Sequence, residues 1–262
     1  FSRGEHGAWK FCTEDALKKI VGNFDTRMKL SAMADIGRID FDDIPSKKDS
    51  ALDMIRVACY AHEVDKGINL AHHCMEKGYE VTINLMAVSK VLEKDLDEAL
   101  EDLAKSQVQV IYLVDSFGAM YSEQIHFLAK KYFKALPGKE LGMHAHNNQQ
   151  LAFANSIEAI IAGINCIDAT LYGMGRGAGN CPLELLLNFL KNPKFDIRPI
   201  LEIIQESLIP MKEEVEWGYH IPYMITGILN EHPRSGMKMM ASKKLPNLKQ
   251  FYEDLRDGTP LD

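Results

Sequence analysis

Long apolar runs are absent. No stretch approaches the roughly 18 residues that cross a bilayer, and nothing near the start reads as a signal peptide. Cysteine is sparse: Cys12, Cys59, Cys74, Cys166 and Cys181 are five in number, widely spaced and without a C-x-x-C pair. That argues against a disulfide scaffold or a structural zinc site and points to the reducing cytoplasm. Basic clusters longer than two residues are also missing, and the formal net charge is −7. A nucleic-acid binder shows a basic face, so a small-molecule substrate is the better expectation. No low-complexity segment or linker marks off a second full domain.

What the sequence does contain is a series of short apolar runs. They are Met28–Ala34, Met54–Ala58, Val81–Met86, Val108–Val114, Leu141–His146 and Cys166–Leu171. Their starts lie roughly 25 to 30 residues apart, the length of a strand, a crossover helix and two loops. The runs are near-continuous rather than alternating, as parallel strands buried on both faces require. Helical patterns fill the gaps. Leu92, Leu96, Ala99, Leu100 and Leu103 share one helical face. Gly78, Gly138 and Gly163 stand where helices stop, and Thr13 stands where one begins. Leu183–Leu190, Ile200–Glu214 and Met224–Asn230 read as helices, and the Lys-, Met- and Pro-rich stretch from His232 reads as a partly ordered tail. Six strand–helix units without a hairpin leave an open doubly wound sheet or a (β/α)8 barrel. On the barrel reading, residues 1–216 form the barrel without its first one or two strands, and residues 217–262 form a C-terminal helical extension and tail.

In either architecture chemistry sits at the carboxyl ends of the strands. The strongest signal there is His144-Ala145-His146-Asn147-Asn148. Side chains two apart on a strand point to the same side, so both imidazoles can face one cation; a hydrogen-bonded pair without metal is the bland alternative. Zn, Mn, Fe or Co suit imidazole, and a carboxylate partner shifts the preference towards Mn or Mg. Asp115-Ser116, after the preceding strand, offers a carboxylate and a hydroxyl to a substrate, or else an Asx/Ser turn. The loop from Gly173 to Asn180 alternates glycines without matching G-x-G-x-x-G. It could hold an anion on backbone N–H groups, or be a flexible tip. Arg56 lies in an apolar strand, with Glu63 soon after, and must be paired or solvated. Contact with substrate and a place in a network beneath the site are both open. Cys59 and Cys181 read as small buried hydrophobes, and His72-His73 as a surface feature.

From His144 to Leu187 the sequence HAHNNQQLAFANSIEAIIAGINCIDATLYGMGRGAGNCPLELLL resembles the metal-dependent pyruvate aldolases of the 4-hydroxy-2-oxovalerate aldolase type. Hydroxymethylglutaryl-CoA lyase, homocitrate synthase and isopropylmalate synthase are the wider relatives. The likeness extends back through Val110–Met120 and Met54–Asp65 and forward through Trp217–Tyr223. It implies a metal held by His144, His146 and Asn180. It also implies a substrate carboxylate held by Ser116, and a tyrosine, Tyr223, lining the substrate site. Catalytic roles are therefore expected for Tyr223 and Ser116, and substrate contacts for Ser116, Arg56 and Asp115. The family's first strand carries D-x-x-x-R-D-G, which supplies a third ligand and an arginine. The alignment places that segment upstream of Phe1. The aldolase H-C-T-E is here Tyr60-Ala61-His62-Glu63, and the G-G-C-P cysteine of the CoA lyases has no counterpart.

The activity so implied is metal-dependent cleavage of a 4-hydroxy-2-oxo acid to pyruvate and an aldehyde. The cofactor would be Mn or Mg ahead of Zn or Co, the ligand a small 2-oxo acid, and a homo-oligomer is compatible. The aldolase relatives often channel the aldehyde to a dehydrogenase through a C-terminal helical domain; only a short C-terminal region follows here, so that partner is not inferred. The rival readings are a Claisen-type synthase joining an acyl-CoA to a 2-oxo acid, a non-catalytic relative, and a phosphate-binding barrel that uses the glycine loop.

Overall fold

The computed structural model of the chain describes residues 11–22, 28–242 and 247–258. Its six strands are β1 (Ser31–Asp35), β2 (Met54–Tyr60), β3 (Glu80–Met86), β4 (Val110–Asp115), β5 (Glu140–Ala145) and β6 (Cys166–Ile167). All pair in parallel, each with the next in the chain, in the order β1-β2-β3-β4-β5-β6. A doubly wound sheet reverses its order at a switch point. This one never does, which is the progression of a (β/α) barrel.

The crossover helices are α2 (Val64–Glu76), α3 (Glu93–Lys105), α4 (Ser122–Ala135) and α5 (Ala152–Ile161), after β2 to β5. Ahead of β1 lies α1 (Glu14–Val21), and after β6 comes α6 (Leu183–Leu190). The expected apolar face of α3 is buried at Leu96, Ala99, Leu100 and Leu103, whereas Leu92 stands exposed at the N-cap. Gly78, Gly138 and Gly163 all adopt positive φ at the predicted helix stops.

The register separates two chemically different faces. One carries Ile55, Val57, Cys59, Ile83, Leu85, Ile111, Leu113, Leu141, Met143 and Ala145, packed in one core with Leu70, Leu100, Ile125 and Ala129 from the helices. The side chains one residue out of step are Arg56, Thr82, Asn84, Tyr112 and His144. Burying polar groups costs stability unless they are bonded. A polar inner face is therefore one built for partners, and it leads up to the strand ends. Gly142 makes room on it. A Cβ there would lie 2.5 Å from three atoms of the Tyr112 ring. We expect Gly142→Ala to lower unfolding stability by about 1–3 kcal/mol, as overpacking does. A urea midpoint equal to wild type would show that the ring moves freely.

Two expectations change towards the end of the chain. The helix expected from Ile200 begins at Arg198 and runs as α7 (Arg198–Ile203), a π turn (Ile204–Leu208) and α8 (Ile209–Glu214). Pro210 has no N–H and its ring crowds the carbonyl four residues back, so a wider turn before it relieves the clash. The stretch from His232, expected as a partly ordered tail, contains two helices among its described residues. After α9 (Ile221–Ile228) come α10 (Arg234–Ala241) and α11 (Leu248–Arg256). The reason is packing: Phe251 on α11 is buried, and Gly236 on α10 lets the Tyr223 ring approach. No helix among the described residues is long and apolar enough to cross a membrane.

Candidate metal centre

β5 delivers two imidazoles to one place. The His144 and His146 rings lie 5.0 Å apart, centroid to centroid, at 75°. Met143 and Ala145, between and before them, face the buried core instead. His146, one residue past the strand, bridges to Asn180 of the glycine-rich loop. Burial, then the neighbouring His144 and Arg176, push the His146 imidazole down to about 3. It is thus neutral at physiological pH, the form that binds a cation.

The glycine-rich loop is folded back on itself and is no free tip. Asn180 N donates to Gly173 O at 3.1 Å, Gly179 N to Arg176 O at 3.2 Å, and Asn147 N to Gly179 O at 2.9 Å. Two of the loop's own N–H groups that an anion cradle would need, those of Gly179 and Asn180, are thereby spent inside the protein, which disfavours the phosphate reading. The loop instead presents the Asn180 side chain. Its Nδ2 donates to Met174 O at 3.1 Å. Its Oδ1 is buried with no hydrogen-bond partner among the described residues. An orphaned buried oxygen costs stability and fits a cation ligand.

Behind His144 stands a carboxylate that the sequence reading missed. His144 Nδ1 lies 2.7 Å from Asp168 Oδ2, and Arg56 Nη2 donates to the same oxygen at 2.5 Å. Burial opposes the charged form of Asp168, but the hydrogen bonds from His144 and Arg56 outweigh it and hold the carboxyl below its usual range. Asp168 lies in the run expected as strand through Leu171. The ladder to β5 ends at Ile167, and beyond it Thr170 bonds Cys181, drawing the chain to the loop. Two imidazole nitrogens and an amide oxygen fit a divalent ion of the Mn or Zn kind. No group of three His, Cys, Asp or Glu that could hold a metal occurs among the described residues.

The remaining expected residues divide. Ser116 Oγ accepts from Ala87 N at 2.8 Å, which leaves its proton free for a ligand. Tyr223 on α9 is buried, its ring against Gly177 of the glycine loop and 5.9 Å from the His220 ring. The loop after β5 ties α9 down: Asn148 Nδ2 donates to Tyr223 O and Thr226 Oγ1, each at 3.2 Å. Asp115, expected to touch substrate, is 0% exposed. Its oxygens accept from Ala119 N and Met120 N, and burial pushes its carboxyl up to about 6 against those bonds. It builds the loop, the Asx-turn alternative. Arg56, also expected at the substrate, is committed to Asp168 and lies 4.5 Å over the Tyr112 ring. Cys59 and Cys181 are buried thiols, as read. His72 and His73 are tied to the backbone of Gln107 and Phe41.

The chain is 35% identical over 169 residues to a 4-hydroxy-2-oxovalerate aldolase of Thermus thermophilus, covering 62% of this chain and 48% of that one. It is 37% identical over 144 residues to an oxaloacetate decarboxylase of Mycobacterium tuberculosis, covering 53% and 41%. The chain thus spans about half the length of the curated relatives it matches. The N-terminal domain of a proposed aldolase from Bacteroides vulgatus superposes with a TM-score of 0.73 at 29% identity, covering 88% of this chain and 78% of that one. Residues 43–205, which include both histidines, Asp168 and Asn180, match the HMGL-like family model, and the chain belongs to the HMGL-like family.

Proposed function

We propose that this protein cleaves a 4-hydroxy-2-oxo acid to pyruvate and an aldehyde, with a divalent cation, Mn or Mg, held by His144, His146 and Asn180. The observation that carries this reading is the paired imidazoles, with Asn180 bridged by its backbone to His146 and its side-chain oxygen unpartnered. When bound there, the cation supplies a Lewis acid for the negative charge that develops on the C2 oxygen as the C3–C4 bond breaks. The protein's own groups do the rest. The Ser116 proton points the substrate carboxylate. Tyr223, kept protonated because burial raises its pKa, is a donor lining the far half of the substrate. Asp115 holds the loop that carries Ser116 and is no base. The five free thiols suit the cytoplasm.

The identity to an oxaloacetate decarboxylase favours a second reading of the same site. Loss of CO2 from a 2-oxo diacid also leaves pyruvate enolate. One assay separates the two: pyruvate, aldehyde and CO2 are measured from a panel of 4-hydroxy-2-oxo acids and from oxaloacetate, with and without Mn. Mn-dependent pyruvate plus aldehyde is the expected result. Pyruvate plus CO2 from oxaloacetate alone would select the decarboxylase. Release of CoA thiol from acetyl-CoA and a 2-oxo acid, with no pyruvate, would overturn both.

A further inference from the structure

The site reading leaves Arg56, Tyr112 and Asp168 without a role. They come from β2, β4 and the residue just past β6, and meet on the inner face behind β5. Asp168 Oδ2 takes two donors at once, Arg56 Nη2 at 2.5 Å and His144 Nδ1 at 2.7 Å. Arg56 lies 4.5 Å over the Tyr112 ring, and Gly142 is the gap into which that ring fits. The side chains of Arg56 and Asp168 are 19% and 17% exposed, so neither is a surface ion pair free to re-form with other partners.

We propose that Asp168 is a positioning residue for the cation: it fixes His144 in the Nδ1–H tautomer with Nε2 bare and aimed at the site, and Arg56, laid on Tyr112, fixes Asp168. The inference rests on the metal reading above. The chemistry allows one arrangement. A carboxylate already accepting from a guanidinium is ionised and can only accept, so His144 must donate through Nδ1. In a neutral imidazole the other nitrogen then carries the lone pair. Ring orientation and tautomer are what an outer carboxylate supplies to a metal histidine. Arg56 is thereby assigned away from the substrate. Arg56 reaches Asp168 through Nη2 alone, with its Cζ 4.5 Å over the Tyr112 ring, so one charged hydrogen bond and a cation–π contact anchor it.

The test is made on the full chain. Ring-nitrogen NMR of the metal-free protein, with the His144 signals assigned by their loss in His144→Gln, is expected to show the Nδ1–H form in wild type. A predominant Nε2–H form would overturn the proposal without any variant. Asp168→Asn can donate as well as accept, and should produce a mixture of tautomers. It should also weaken Mn binding, measured by calorimetry, by about 10- to 100-fold. Arg56→Lys keeps the charge but loses the guanidinium that lies over the Tyr112 ring, and should show a smaller loss of the same kind. An unchanged tautomer and Mn affinity in the folded Asp168→Asn protein would make the triad a purely structural ion pair. If wild type holds His144 as Nδ1–H but takes up no Mn, the metal reading fails and the hydrogen-bond assignment survives, so the two failures are told apart.

Discussion

His144→Ala and His146→Ala are each expected to abolish Mn-dependent pyruvate release while leaving the protein folded. Each change removes one of the three donors that this chain offers. The loss of Mn affinity should exceed the roughly 10- to 100-fold that follows from cutting an outer hydrogen bond. The effect on stability is small by comparison. The His144 side chain is 24% exposed and borders an inner face that is already polar, so truncation costs on the order of 1 kcal/mol. Removing His144 leaves Asp168 paired with Arg56 and creates no unpartnered buried charge. His144→Ala combined with Asp168→Asn should be markedly non-additive in Mn binding. Asp168 acts through His144, and once the ring is gone its orienting effect has nothing to act on. Normal turnover by metal-loaded His144→Ala or His146→Ala would remove the basis of the functional reading.

The parts of this site that were legible in the sequence are those fixed by local periodicity. Buried parallel strands leave near-continuous apolar runs, and all six were visible. Two histidines one residue apart must share a side of a strand, so their convergence needed no tertiary information. Asp168 was invisible for the opposite reason. It is 24 residues beyond His144, in a segment whose apolar run continued through Leu171, and it faces His144 only because the β5–β6 register, Gly142 to Cys166 and Met143 to Ile167, continues one step further. Arg56 needs the curvature of the sheet as well. The sequence demands that an arginine in an apolar strand be paired, yet its partner is 112 residues away, just past β6. Gly142 carries no signal at all, because what it makes room for, the Tyr112 ring, belongs to the neighbouring strand. The two last helices were missed because lysine, methionine and proline dilute an apolar pattern that in α11 comes down to a single deeply buried residue, Phe251.

Gly179→Ala is expected to uncouple metal binding from folding. Gly179 sits at φ +84°, where an L side chain is strained, and a Cβ there would come within 2.1 Å of Gly173 O. That oxygen is backbone, and it accepts the hydrogen bond from Asn180 N, so it cannot swing aside as a flexible side chain would. The backbone conformation alone costs about 1–3 kcal/mol, and relieving the clash means pulling the two arms of the loop apart. The Asn180–Gly173 bond opens, the Asn147–Gly179 bond goes with it, and Asn180 is released from its place opposite His146. The barrel core, built from other residues, stays packed. The expected result is a cooperative thermal transition lowered by several degrees, together with loss of Mn affinity as deep as that of Asn180→Ala. Gly138→Ala is the control: its φ is +81°, but its Cβ would meet nothing within 4 Å. It should carry a similar conformational strain and bind Mn as wild type does. If Gly179→Ala also keeps wild-type Mn affinity, the loop is not what holds Asn180 at the site, and the third donor must be sought elsewhere.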